Sequence, residues 1–504
     1  MVRAIPIIAR RATAVRYTLQ RKLNTFDITN LVVGSIIGAD IYVAAAIGAK
    51  LVGPSSLLVW VAAGVIAIII AISFAHSAML MPRVGGPYAY VKEVSTPFAA
   101  FEVGWALFLA EWFSLAVFPV AFAQYFVALV PGIDSLGQSV LKGVFILIIF
   151  LTNYIGIKAA GRFNDALTIA KLGSLLLLMI AGLIFIAFNA SSASANFQPF
   201  VTGDIPAFGQ ALVLIFWAYA GFEISTLPAD EVERPEKSIP KAIVFGMMIV
   251  IAFYLLTNFV IIGTVDQASL AVSPSPLIDS SKVIFGSLGI LSAVVPVIIG
   301  IGALVSILGA DESGTIGTSR LSFALSLDGF FPRFFSRIHG KYKTPGTGLA
   351  LICVTAFVAS ELGGLMQLIS ASVFLLAFTY LATCVSTILL ERKFPEKSKV
   401  LRGKTAISIA GVVFSIMLML MVDIKLILIS AILLSVGVLV FIWFSPKEAI
   451  PEARERYLSR EAVLHRAYEQ GERFLAYPLL VVKRALDRRK AKIAWIKESD
   501  LDKL

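Results

Sequence analysis

The sequence predicts an all-α polytopic membrane protein of twelve spanning helices, and three observations carry that prediction. Hydrophobic residues make up 58% of the 504-residue chain and charged ones 15%, with a mean hydropathy of +0.88. That is more apolar surface than one aqueous core can hide. Apolar stretches recur at roughly 20 residues, the length that carries a helix across hydrocarbon. Basic residues gather in alternate connecting segments, as they do in chains threaded through a bilayer.

The apolar stretches run over residues 26–50, 55–80, 98–129, 141–157, 165–188, 207–229, 239–264, 286–318, 346–362, 364–391, 406–422 and 424–445. They divide the chain into a basic N-terminal arm (1–25), a first helical block (26–188), a second (207–391), a final helix pair (406–445) and a charged tail (446–504). With the N-terminus inside, all but four of the 43 Lys and Arg fall in inner segments, the exceptions being Lys50, Lys142, Lys282 and Lys425. The net charge of +11 therefore reads as a topology signal in a cell-membrane protein with both termini cytoplasmic, and not as a nucleic-acid footprint. Arg3, Arg10 and Arg11 precede a full-length span with no small-residue cleavage site, so the N-terminus is expected to stay attached. In the tail, Leu479, Val482, Leu486, Ile493 and Ile496 recur at helical spacing beside Lys483, Arg484, Arg488 and Arg489. That pattern fits a basic amphipathic helix on an anionic inner leaflet, or a solvated cytoplasmic helix.

Catalytic chemistry has no foothold in the sequence. Cys353 and Cys384 lie in apolar stretches without metal or redox spacing, and His76, His339 and His465 are scattered. There is no Gly-rich phosphate loop and no nucleophile–base arrangement. The chain reads as a non-enzyme with no cofactor and no metal, whose partners are the bilayer and a small solute.

Two stretches are interrupted at their midpoints, at GSIIGADIYV (34–43) in the first and FWAYAGFE (216–223) in the sixth. Bare backbone at mid-bilayer depth is tolerable where it lines a cavity, and paired interruptions in the two halves of a chain mark a solute site. Gly34 and Gly38 let the first helix open, freeing N–H groups along Gly34, Ser35, Ile37, Gly38, Ala39 and Asp40 for a negative group. In the sixth, Ala218 to Gly221 can open likewise and turn carbonyls toward an ammonium. Together the two breaks would hold a zwitterion; alternatively the glycines only let helices pack closely. Trp217, Tyr219 and Phe222, with Phe216, are candidates for stacking on the solute or for plain packing.

Asp40, Glu111, Glu223, Asp311 and Glu312 all fall at membrane depth. An aspartate at the bilayer centre costs about 2.5–3.5 kcal/mol on insertion scales and needs water, a proton or a cation. Several acids around one cavity point to binding of positive charge or protons, unless Ser, Thr or backbone groups satisfy them.

Three runs carry a resemblance: PRVGGPYAYVKE (82–93), FWAYAGFEISTLPADEVERPEKSIPKAI (216–243) and GTSRLSFALSLDGFFPRFFSRIHGKYKTP (317–345). In this order and spacing they resemble the amino acid, polyamine and organocation (APC) superfamily of secondary transporters, over roughly residues 25–445. The resemblance implies two inverted five-helix repeats, with helices one and six unwound around a central substrate site and the last two helices peripheral. Where relatives carry Gly-Ser-Gly-Ile-Phe, this chain reads Gly38-Ala39-Asp40-Ile41-Tyr42, so an aspartate replaces the second glycine of the carboxylate-binding loop. Lys171 aligns with a lysine that, in proton-coupled relatives, sets its ammonium where sodium-coupled members bind an ion. It would serve in coupling, with Glu223 and Asp40 as proton carriers and Asp311 and Glu312 as supporting acids; its other reading is a side chain snorkelling to the surface. The implied function is proton-coupled, alternating-access transport of an amino acid or related amine, a cationic solute ahead of a neutral amino acid. An inorganic cation transporter and a transporter-like sensor are the other readings.

Overall fold

The computed structural model describes residues 24–82, 85–155, 157–226, 232–342, 344–398 and 404–444, without the side chains of 157–170, Ser225 and Lys404. The basic arm up to residue 23, the tail after 444 and Arg83 lie outside the described residues.

Each apolar stretch coincides with a helix or a broken pair. In chain order these are α1 (Thr25–Ile36), α2 (Ala39–Val52), α3 (Ser56–Leu80), the connector α4 (Gly86–Val94), α5 (Pro97–Leu129), α6 (Ser135–Ile155), α7 (Ile157–Phe188), α8 (Ala190–Asn196) and α9 (Ile205–Phe216). There follow α10 (Pro235–Thr264), α11 (Gln267–Val272), α12 (Pro276–Phe285), α13 (Leu291–Leu327), α14 (Gly346–Leu362), α15 (Leu365–Lys393), α16 (Pro395–Ser398), α17 (Lys404–Leu420) and α18 (Ile424–Phe444). No strand occurs among the described residues, and nine of their helical segments are long and apolar enough to cross a membrane.

Local sequence sets the helix starts. Asn24 opens α1 with a capping box, its side chain accepting from Phe26 and Asp27 N–H while Asp27 accepts from Asn24 N–H. Thr96 caps α5 and Asp204 caps α9, each ahead of a proline in the first turn, where the missing N–H costs nothing.

The helices are inside out by aqueous standards. On α6 the exposed face is Val140, Val144, Leu147, Leu151 and Ile155, a helical stripe of pure hydrocarbon. On α7 the exposed residues include Leu176, Leu177, Ile180 and Ile184, whereas Lys171, Ser174, Leu175 and Leu178 form the buried face. Apolar faces of this extent suit lipid and not water, while the interior keeps the charge.

The connections sort into two sets by contact. In one, Ser55 N–H donates to Phe200 O (2.8 Å) and Gln267 Nε2 to Thr202 Oγ1 (3.2 Å), while Lys142 pairs with Glu361 (3.3 Å). In the other, Lys92 pairs with Asp328 (2.7 Å) and Lys393 with Glu93 (2.9 Å), tying α4 to the ends of α13 and α15. The segments after the first, fifth and seventh apolar stretches thus meet one another, and those after the second, eighth and tenth do likewise, as threading to and fro requires.

Candidate functional site

The first stretch is broken more sharply than its glycines imply. α1 continues through Gly34 to Ile36, and Ile37 N–H still bonds Val33 O at 3.0 Å. Only Ile37 and Gly38 leave the helix before α2 starts at Ala39. The freed carbonyls are taken from the side: Lys171 of α7 donates to Gly34 O (2.6 Å) and Ile37 O (2.7 Å), and Ser306 of α13 donates to Ile37 O (3.3 Å). Tyr254 of α10 donates to Ile36 O (3.0 Å). The freed N–H of Gly38 goes to Asp40 Oδ1 at 2.7 Å, and Asp40 Oδ2 accepts the Tyr254 hydroxyl in a short hydrogen bond. Glycine is needed at 38 because a Cβ there would come within 2.4 Å of the Ala310 Cβ of α13.

In the sixth stretch α9 ends at Phe216, a 3-10 turn covers Trp217 to Tyr219, and the chain is extended at Ala220 before a second 3-10 turn, Phe222–Thr226. The opening is therefore at Ala220 and Gly221, while Ala218 stays in a helical turn. Gly221 has φ +117°, which L side chains rarely adopt. Its N–H bonds both oxygens of Glu223 (3.0 and 3.1 Å), and its carbonyl accepts from Ser35 Oγ (3.0 Å), so the two breaks are bonded to each other. Tyr380 of α15 donates to Glu223 Oε2 at 3.0 Å, and Glu111 of α5 lines the same hollow as Glu223.

Between the breaks lies a small hollow of about 30 Å³, room for only a water or two. Its walls are Ser35, Ile36 and Asp40 from the first break, Trp217, Ala220, Gly221, Glu223 and Ile224 from the second, Glu111, Ser114 and Phe118 from α5, Ala310 and Gly314 from α13, and Leu376 from α15. Three carboxyls face it and, among the described residues, no Lys or Arg does.

Two broken helices joined at a polar hollow inside an apolar shell are what a solute carrier needs, and the comparisons with known proteins agree. Residues 23–451 match the family described as Amino acid permease. The chain belongs to this amino acid permease family. Among similar proteins, a branched-chain amino acid permease of Bacillus subtilis is 26% identical over 464 residues, covering 87% of this chain and 96% of that one. A methylthioribose transporter of Bacillus subtilis is 26% identical over 417 residues, with 79% and 87% covered. A serine/threonine exchanger of the same species is 24% identical over 389 residues, with 74% and 84% covered. The protein is thus a multi-pass membrane permease for amino acids or related small molecules, and not an enzyme.

The permease gathers some of the residues picked out in its sequence at the hollow and leaves others away from it. Ser35, Asp40, Trp217, Gly221 and Glu223 line the hollow. Gly34 and Ile37 are not among its walls; their carbonyls accept from Lys171, and Gly38 and Ala39 form the start of α2. Lys171 does not snorkel: it is fully buried, and its electrostatic partner is Asp40. Tyr219 and Phe222 stand one step back. Tyr219 donates to Trp60 O (3.0 Å) and packs on Tyr254, the partner of Asp40, with ring centroids 5.2 Å apart. Phe222 stacks on Tyr380, the partner of Glu223, at 5.3 Å. Asp311 and Glu312 are buried elsewhere, on a face of α13 turned from the hollow. Among the described residues no group of three or more His, Cys, Asp or Glu could hold a metal ion.

Sequence reasoning missed Tyr254, Tyr380, Ser114, Phe118, Ala310 and Gly314. Helical spacing is the signal that could have found some of them: Glu111, Ser114 and Phe118 share one face of α5, and Ser306, Ala310 and Gly314 one face of α13. Trp217 Nε1 donates to Ser114 Oγ at 2.9 Å and its ring lies 5.9 Å from Phe118, which closes one side of the hollow.

Proposed function

We propose that this permease is a proton-coupled, alternating-access carrier of an amine-bearing solute, with a basic amino acid or polyamine favoured. The observation behind this is the lining of the hollow, where Asp40, Glu111 and Glu223 gather; Lys171 is the electrostatic partner of Asp40, and among the described residues no Lys or Arg lines the hollow itself. A carboxylate cluster in a low-dielectric site attracts cations. The α2 N-terminus, which would otherwise favour a substrate carboxylate, already holds the carboxylate of Asp40. Inward movement of one positive charge gains about 2.3 kcal/mol per 100 mV, so such a solute could be driven by voltage as well as by protons. In this reading Lys171, Asp40 and Glu223 exchange protons during the cycle. The scaffold is two inverted repeats, 26–188 and 207–391, with 406–445 at the periphery and both termini cytoplasmic.

A second reading is a neutral amino acid permease. It is supported by the donors that Asp40 and Glu223 already have, Gly38 and Gly221 N–H with Tyr254 and Tyr380, and by the neutral solutes named for the relatives. Uptake of labelled arginine, putrescine, leucine and alanine by proteoliposomes, with and without a pH gradient, separates the two. Accumulation of arginine or putrescine supports the first; accumulation of leucine or alanine alone overturns it in favour of the second.

A further inference from the structure

Asp311 and Glu312 are unusual among the buried acids because most of their oxygens have no partner. Asp311 is 1% exposed and Glu312 0%, yet Asp311 Oδ1, Asp311 Oδ2 and Glu312 Oε1 are buried without any hydrogen bond. Only Glu312 Oε2 is bonded, by Thr152 Oγ1 of α6 at 2.6 Å. The two are not part of the solute hollow. Successive residues on an α-helix are about 100° apart, so with Ala310 turned to the hollow, Asp311 and then Glu312 turn progressively away, toward α6 and α14.

A bare carboxylate in such a place is excluded energetically; it must be neutralised. Among the described residues no cationic side chain does this. Among the described residues on helices packed against α13, Cys353 of α14 lies in electrostatic reach of both acids. Lys171 of α7 is committed to Gly34 and Ile37, Asp40 of α2 to Gly38 and Tyr254, and Glu111 of α5 faces the hollow. Lys282 pairs with Asp279 on α12, and Lys142 of α6 with Glu361 of α14. A metal ion fits poorly as well, because carboxyls leaving a helix about 100° apart diverge and the helical carbonyls around them are already hydrogen-bonded.

We propose that Asp311 and Glu312 form a proton-binding site on α13, separate from the solute hollow, whose occupancy changes as α13 shifts during transport. The link between the two sites is one helical turn. Ala310, next to Asp311, lies directly against Gly38 at the first break, and Gly314 lines the hollow two residues beyond Glu312. A solute that displaces the Gly38 segment presses on the turn that carries the acids, and moves them relative to Thr152.

Infrared spectra of the full-length permease in lipid nanodiscs, recorded from acidic to alkaline buffer, test the proton. The expected result is a carbonyl stretch of buried carboxylic acid at neutral pH that loses intensity in D311N and in E312Q. Where D311N fails to fold by circular dichroism, D311E takes its place and is expected to shift the band. A band unchanged in E312Q and in whichever Asp311 variant folds overturns the proposal, since both acids would then be ionised. The second arm rests on the transport reading and uses the same four labelled solutes. E312Q is expected to lose the response of accumulation to a pH gradient while keeping solute exchange without one. An unchanged response means the proton is static and overturns the coupling half. If the wild type carries none of the four solutes, the transport reading fails, and the infrared arm still decides the site.

Discussion

Asp40 and Glu223 sit on the two helix breaks in the same way: each carboxylate accepts the N–H of the glycine two residues before it and the hydroxyl of a tyrosine from another helix. The pattern Gly-X-acid thus satisfies, from within the chain, the donor that each break exposes. A break in a membrane helix costs several kcal/mol for each unsatisfied backbone group, and this pairing removes that cost while leaving a carboxylate at the rim of the hollow.

The first prediction separates the charge of Asp40 from its capping role. D40N keeps an oxygen for Gly38 N–H but loses the negative charge, so cationic uptake should weaken by about 1.5–3 kcal/mol, tenfold or more in KM. Y254F should have a smaller effect in the same direction, because it removes one donor and leaves the charge. Measured KM values for arginine and putrescine check both, and a D40N variant with wild-type values for either would show that Asp40 does not meet the solute.

Much of this arrangement was readable beforehand, for definite reasons. Span positions follow from apolar length alone, so the stretches drawn from composition coincide with the helices found. The breaks were legible because glycines and an acid at mid-membrane have few structural uses. Their extent was not: Gly34 stays helical while its carbonyl is taken by Lys171, and Ala218 stays in a 3-10 turn because the φ +117° of Gly221 absorbs the reversal. Tyr254 and Tyr380 were invisible because tyrosines are common in apolar helices and their partners lie 214 and 157 residues away in sequence. The separation of Asp311 and Glu312 from the other acids depends on helix rotation, which a list of acids at equal depth does not encode.

Removing the Lys171 ammonium should unsettle the first break. K171M leaves the Gly34 and Ile37 carbonyls short of their donor, at about 1–3 kcal/mol for each buried group left unpaired. S306A removes only the longer 3.3 Å bond to Ile37 O and should cost less. Thermal unfolding of purified variants in detergent is the measurement, with the order wild type, S306A, K171M from most to least stable. Equal midpoints for K171M and wild type would mean that other groups close the break.

The contact between Gly38 and Ala310 allows a reciprocal test. In G38A the new Cβ meets the Ala310 Cβ at 2.4 Å, which forces the break away from α13 at a cost of about 1–3 kcal/mol. A310G removes the clashing atom. The double variant G38A/A310G should therefore recover most of the uptake and stability lost in G38A, a coupling that a double-mutant cycle reads directly. Additive losses would place the damage in the backbone of residue 38 and not in its approach to α13.

The tie between α4 and the end of α13 gives a prediction in pH. Tyr88 donates a short hydrogen bond to Asp328 Oδ2, and Lys92 reaches the same oxygen at 2.7 Å. Burial, and then the negative charge of Asp328, push the Tyr88 phenol above its ordinary value of 10.0. A group whose pKa is raised on folding contributes stability that is complete below its unfolded pKa and is lost as pH climbs toward the folded one. The stability gap between wild type and Y88F should therefore be constant through neutral pH and shrink only above about pH 10. Its size should be near the lower end of about 1.5–3 kcal/mol for a bond to a charged group, as Asp328 is 35% exposed. K92A should cost about 0–1 kcal/mol, since its side chain is 46% exposed and its ion pair is screened by water. Unfolding midpoints of the three proteins across a pH series check the ranking, and a Y88F gap that already closes between pH values near neutrality would show that another group governs this tie.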